Sequence, residues 1–467
     1  MPAPRGRDSR EETVSDHPAR AWTTLYRAAW VLPISGEPIS DGAVLVEGDR
    51  IAWVGARAAM PAAPQARVVE LGDALLTPGL VNAHTHLDLT ALRGLLHGES
   101  FFSWIRSVVA ARDELTADET LDSARAGILE GLLAGVTTFA DTAPGPAGFR
   151  AIRDMAVRGI AYLEVFGPDP AQCDAALADL RHRVAALRPG ETPLVRVGVS
   201  PHAPYSVSDV LYAATADFAR REGLPLATHV AESDAELSFV AAGTGPFAEL
   251  LGKRGIAVAP RGRTPVAMLE RAGVLAANAL LIHCVRCDAG DVAAIARSGA
   301  AVVTCPNSNR YFGHGAAPAR EFVAAGVRLG VGSDSMASNT RMDLLAEARA
   351  ATEAGHAATG ETPEGRREQW ELATIGGARA LGLGDAIGTL EVGKQADLAA
   401  FAIPGDAAQG RGAVPVLAAG SQAQLVVVAG AERVCAGRLA GDAAGIAARA
   451  SAVTARLREW RARARGA

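Results

Sequence analysis

Eight short apolar runs, separated by segments of helical character, constrain this chain more than any other feature. They read "PGLVNAHTH", "VTTFADT", "IAYLEVF", "VRVGVSPHA", "PLATHVAE", "ALLIHCVR", "AAVVTCPNS" and "VRLGVGSDS". Convincing helices lie between several of them, such as "TADETLDSARAGILEGLLAG" and "SDVLYAATADFARREG". Apolar runs of this length suit strands buried on both faces, and their alternation with helices leads to a parallel sheet. Eight βα units predict a (β/α)8 TIM-type barrel, in which the active site is built where the strands end.

Outside that array the pattern changes. Residues 23 to 77 hold short strands and turns, "TTLYRAAWVLP", "GAVLVEGDRIAWVGA" and "ARVVELGDALLTPG". The same style returns in "GTLEVGKQADLAAFAI" and "QAQLVVVAGAERVCAGRL". One small β-sandwich built from both chain ends is expected, over residues 21–77 and 386–445, around a barrel spanning 78–385. Residues 1–20 are polar, lack an apolar signal core and read as a disordered lead. Residues 446–467 read as a helix, and Val453, Leu457 and Trp460 at helical spacing suggest that it docks despite its basic charge.

The chemistry-capable residues fall at the ends of the runs. His84 and His86 close the first, and their i, i+2 spacing puts both rings on one face of a strand. His202 closes the fourth, His229 and Glu232 the fifth, His283 the sixth and Asp334 the eighth. Taken singly, each is as easily a packed histidine or a turn-forming carboxylate. Together they converge on one rim, which unrelated core residues would have to match by coincidence at several strand ends.

Bulk properties narrow the alternatives. A net charge of −5 over 467 residues argues against a nucleic-acid or membrane-surface role, and no apolar stretch is long enough to span a bilayer. Five scattered cysteines do not form a disulfide framework, which suits a reducing cytoplasm. "HCVRC" contains C-x-x-C without the second pair that a zinc ribbon needs, so Cys284 and Cys287 read as small buried residues. The spacing H-x-x-E, with no proline before the cysteine pair, also departs from the other zinc-deaminase signature.

With these residues in hand, the chain resembles the amidohydrolase superfamily, and within it the deaminase and chlorohydrolase branch. "TPGLVNAHTHL", "SPHAPYSVS", "THVAESDAE", "LIHC", "VVTCPNSN", "LGVGSDS" and "GTLEVGKQADL" carry the resemblance, from about residue 40 to 440. It implies that His84, His86, His229 and Asp334 hold one divalent metal, with Glu232 as proton shuttle and His283 on the attacking water. Three neutral imidazoles and one carboxylate would leave a net charge near +1 and an open position, which lowers the pKa of a water from about 15.7 towards 7. Binuclear relatives bridge two ions with a carboxylated lysine. This chain has only Lys253 and Lys394, neither at a strand end, so one ion is expected, zinc first and iron compatible.

The resemblance also implies a substrate class. The histidine matching His202 contacts substrate in nucleoside-type relatives, and Tyr205, Phe101, Phe102 and Trp104 could stack on a planar ring. Adenosylhomocysteine and methylthioadenosine deaminases usually carry a ribose-binding glutamate where this chain has Ser103, with Glu99 close by as a candidate substitute. The wording "VNAHTHLDL", "FFSWI" and "SPHAPYSVS" looks closer to aminodeoxyfutalosine deaminases of menaquinone biosynthesis. The expectation is therefore a cytoplasmic hydrolytic deaminase of a 6-aminopurine nucleoside, with a small molecule as its partner and a homodimer as the candidate assembly. Adenosylhomocysteine, methylthioadenosine or guanine deamination and triazine-type dechlorination are the competing activities. A non-catalytic metal-binding relative is the competing class, and it has no use for Glu232.

Overall fold

The computed structural model describes residues 22–355, 363–403, 417 and 420–466. The expected disordered lead lies outside these residues. The described residues open with five strands, β1 (Thr23–Val31), β2 (Ile39–Glu47), β3 (Arg50–Ala56), β4 (Arg67–Glu70) and β5 (Ala74–Pro78). The barrel follows with β6 (Leu80–His86), β7 (Val136–Ala143), β8 (Arg158–Val165), β9 (Val195–Pro201) and β10 (Leu226–Val230). It continues with β11 (Ala279–His283), β12 (Ala301–Thr304), β13 (Arg328–Val331) and β14 (Asp334–Ser335). The chain then returns to the first sheet through β15 (Leu398–Ala402), β16 (Ala423–Val428), β17 (Ala431–Cys435) and β18 (Arg438–Leu439).

Each of the eight apolar runs contains a barrel strand. Neighbours from β6 to β13 pair in parallel in sequence order, and β14 pairs with β6. β13 and β14 thus act as one bent eighth strand whose first half meets β12 and whose second half meets β6, closing the ring. Gly332 makes the bend possible, because a Cβ there would lie 2.7 Å from the His84 carbonyl oxygen and 2.8 Å from its Cβ. Asn82 fastens the seam: its Nδ2 donates to Ser333 Oγ at 2.8 Å, and its Oδ1 accepts from Ser333 N at 3.0 Å. Closure of the barrel and placement of Asp334 beside the β6 histidines are the same structural event.

The second sheet joins both chain ends in the order β18-β17-β16-β15-β5-β1-β2-β3, with β4 beside β1. β15 runs antiparallel to β5, from Leu398 opposite Pro78 to Ala402 opposite Ala74. Its own core includes Tyr26, Val44, Ile51, Leu76, Leu398 and Val427. A buried fork ties the sheet to the barrel, with Arg158 of β8 donating to both Asp397 oxygens at 2.7 and 2.9 Å. Pairing of this bidentate kind is what allows two charges to be buried together.

Two helices follow β6, α1 (Phe101–Asp113) and α2 (Ala117–Leu133), the second begun by a capping box of Thr116 and Glu119. The terminal helix Ala443–Gly466 lies against them. Its Val453 and Leu457 are buried in a cluster with Leu89, Leu92, Trp104 and Val108, and Trp460 packs on that cluster. Arg456 pairs with Glu119 at 2.7 Å, Arg449 pairs with Asp122 at 3.1 Å, and Arg461 pairs with Glu99. Three of the helix's six arginines are thereby paired with the barrel's own acids. No described helix is long and apolar enough to cross a membrane.

Candidate active site

The C-terminal ends of the strands open into a cavity of about 410 Å³, lined among others by His86, Glu164, His202, His229, Glu232, His283 and Asp334. The four residues expected to hold metal meet at its floor. His86 Nε2 is 3.3 Å from His229 Nε2 and 3.6 Å from Asp334 Oδ1, which lies 3.4 Å from His84 Nε2. Tetrahedral ligands about 2.0–2.1 Å from one zinc ion are spaced by roughly 3.3–3.4 Å, so these separations fit a single ion. His84 Nε2 is fully buried and has no hydrogen-bond partner among the described residues, so its lone pair is open to a metal ion. His229 Nδ1 lies 3.1 Å from the His202 carbonyl oxygen, so it donates there and leaves Nε2 free to ligate.

Electrostatics match that arrangement. Burial opposes a charge on Asp334, but the adjacent His84 ring and the other surrounding imidazoles hold it well below the usual carboxylate range. Burial, reinforced by the neighbouring imidazoles, keeps His86 and His229 neutral, the form a metal needs. Ser308 Oγ and Ser338 Oγ both donate to Asp334 Oδ2, the latter at 3.2 Å, and so orient the carboxylate.

Glu232 stands beside this group, with Oε1 3.6 Å from His283 Nε2 and 3.8 Å from His314 Nε2. Burial, then the negative charge of Asp334, pushes its carboxyl well above the ordinary value, which suits a group that must both take and give a proton. Its backbone is held by a residue that sequence reading passed over. Glu236 is fully buried and accepts from Ala231 N at 2.7 Å and Glu232 N at 2.9 Å. Those bonds stabilise the left-handed Ala231, with φ of 53°. His283 and Asp334 share this strained geometry at the strand ends, with φ of 74° and 54°. His283 Nδ1 is fixed by Asn309 Oδ1 at 3.0 Å, so its Nε2 faces Glu232.

The proposed substrate contacts divide. His202 lines the cavity, with Nδ1 2.7 Å from Ser206 Oγ, and Tyr205 stacks on Phe247 with ring centres 4.0 Å apart. Phe101, Phe102 and Trp104 also line it. Ser103 does not. It is exposed on the outer side of α1, and its hydroxyl bonds to Glu99 at 3.3 Å. Glu99 faces the same way, engaged by Ser107 Oγ at 2.7 Å and by Arg461. Neither residue reaches the ligand space, so the assignment of Ser103 to substrate binding is corrected. Helix register explains it: Trp104, Val108 and Ala111 take the buried face, which turns Ser103 and Ser107 outward.

The remaining candidates lie elsewhere. Lys253 is exposed at the end of the helix Pro246–Lys253, and Lys394 donates to the Gly384 carbonyl at 2.7 Å. Cys284 is buried, Cys287 is half-buried, and no cysteine joins a metal-holding group among the described residues. Two cavity residues were missed by sequence reading, Arg112 and Glu164, as was His314, which stands beside Glu232. Arg112 pairs with Asp88 at 3.1 Å, and burial raises the Glu164 carboxyl to about 7 against the opposing pull of Arg112.

Comparison with known proteins agrees with this picture. The sequence profile of the amidohydrolase family matches residues 75–439, and that of an imidazolonepropionase-like composite domain of bacteria matches residues 42–66. A 5-methylthioadenosine/S-adenosylhomocysteine deaminase of Moorella thermoacetica is 31% identical over 383 residues, 80% of this chain and 84% of that protein. An aminodeoxyfutalosine deaminase of Deinococcus radiodurans is 34% identical over 328 residues, 66% of this chain and 75% of that protein. A zinc-bound adenosine deaminase from Xanthomonas campestris superposes with a TM-score of 0.81 at 28% identity, covering 95% of this chain and 100% of the other.

Proposed function

Because the chain belongs to the amidohydrolase family, we propose that its cavity carries out the hydrolytic deamination of a 6-aminopurine nucleoside, with one metal ion held by His84, His86, His229 and Asp334. The observation that carries this reading is the meeting of three imidazoles and a carboxylate beside the buried, proton-accepting Glu232. A metal held by these four residues would supply Lewis acidity, lowering the pKa of a water from about 15.7 towards 7. Glu232 takes a proton from the attacking water, gives one to ring nitrogen N1 and then serves the departing amine. His283, fixed by Asn309, offers Nε2 to the attacking oxygen. His202 and the aromatic wall orient the ring.

Aminodeoxyfutalosine is the leading substrate in this reading. Support comes from the Deinococcus relative and from the charge of the mouth. Exposed Arg106 and Arg254 line the outer cavity, where a carboxylate on the far end of a nucleoside would emerge. Adenosylhomocysteine also carries such a group, and the Moorella relative makes it the second candidate. Zinc is the preferred ion on ligand chemistry. Five cysteines without a disulfide suit a reducing cytoplasm, where we place the enzyme.

Ammonia release across a panel of purines, nucleosides and triazines tests the reading. Aminodeoxyfutalosine should give the highest kcat/KM, with adenosylhomocysteine and adenosine next and methylthioadenosine below them. Faster turnover of guanine or a chlorinated triazine than of every adenine nucleoside would overturn the substrate class while leaving the metal site intact.

A further inference from the structure

Glu164 is a third carboxylate in the cavity wall, beside Glu232 and Asp334, and the mechanism above leaves it without a task. It sits at the end of β8, is 1% exposed, and its Oε1 accepts from no described residue. Buried acceptors are rarely left unpaired, because their desolvation is not recovered. Its carboxylate lies within 4.8 Å of ring nitrogens of both His86 and His229, which places it at the metal end of the cavity rather than at the mouth. Arg112 lines the same wall, and its charge offsets part of the burial that raises the Glu164 carboxyl to about 7.

Topology adds a direction. β8 is the third strand of the ring, across from the seventh, β12, while His283 and Asp334 rise from the sixth and eighth on either side of β12. His283 and Asp334 thus rise from the strands that flank β12, and Glu164 rises from the strand that faces β12 across the ring. When the water oxygen bonds to C6, the amine on C6 is bent out of the ring plane, away from that oxygen.

We propose that Glu164 accepts a hydrogen bond from the exocyclic amine of the substrate and holds that amine on the face opposite the attacking water. The proposal rests on the deaminase reading above. The balance is that of hydrolysis: the water oxygen bonds to C6, and the C6–N1 π pair is drawn onto N1 with one water proton. The C6–N6 bond then breaks, its electron pair goes to nitrogen, and the second water proton leaves with it as ammonia, while C6–O becomes a carbonyl. Glu164 gives and takes no proton. It keeps an N–H in place while the carbon changes geometry.

Leaving groups provide the test. Glu164→Gln is isosteric, and Glu164→Ala removes the acceptor altogether. Both would be assayed for kcat/KM on the preferred 6-amino nucleoside of the panel and on 6-chloropurine riboside, whose chloride carries no N–H. Metal content and the Ki of purine riboside, which bears hydrogen at C6, would be measured alongside. Expected is a loss of at least about tenfold on the 6-amino substrate, the usual worth of a charge-assisted hydrogen bond, with the chloro substrate and the Ki changed by less than about twofold. Where the wild type does not displace chloride, the unchanged Ki against the lost deamination decides. Equal losses on both substrates, a Ki that rises in step, or loss of metal from Glu164→Gln would overturn the assignment and leave the deaminase reading standing. A wild-type protein that deaminates no 6-aminopurine nucleoside would overturn that reading, and the amine contact with it.

Discussion

Glu232→Gln is expected to lower turnover by at least about 10²-fold while the protein keeps its fold and its metal, because an amide of the same size cannot carry a proton. The side chain is 5% exposed and close to two imidazoles, so little solvent is at hand to replace it as a shuttle. Steady-state ammonia release, read beside metal analysis and thermal melting, checks the expectation. Near-normal turnover in this variant would move the shuttle to another group, with His283 the first to examine.

His229→Ala should have a larger effect still. Its ring lies among the other ligands, with Nε2 3.3 Å from His86 Nε2, and it is the only proposed ligand contributed by β10. Removing it leaves two imidazoles and one carboxylate, a set that binds a divalent ion far less tightly. Without the metal's hold on water, turnover should fall by at least about 10³-fold. Metal content after dialysis should fall with it, and added zinc should restore neither fully. Retained metal with lost activity would instead make His229 a substrate contact.

Much of this architecture could be read from the chain. The eight barrel strands announced themselves because strands buried on both faces must be apolar nearly throughout, and their ends because polar residues appear where the apolar run stops. The i, i+2 spacing of His84 and His86 puts both rings on one face, but only the further residues at other strand ends made them more than a pair of packed histidines. What the sequence concealed depends on contacts between distant elements. Glu164 was passed over inside "IAYLEVF", read simply as an apolar strand, although a glutamate within such a run is itself a signal, since it is seldom buried without a partner. Glu236 and His314 lie outside the strand runs, and only the folded chain brings them to Glu232. Ser103 shows the opposite failure: its position matched a family pattern, but the register of α1 turns it to solvent.

The placement of one metal is the claim on which the rest depends, and anomalous scattering from crystals grown with zinc addresses it directly. The account predicts a single peak per chain, about 2.0–2.2 Å from nitrogens of His84, His86 and His229 and from an Asp334 oxygen. Two peaks in the cavity, or one peak with Asp334 turned away from the histidines, would contradict it.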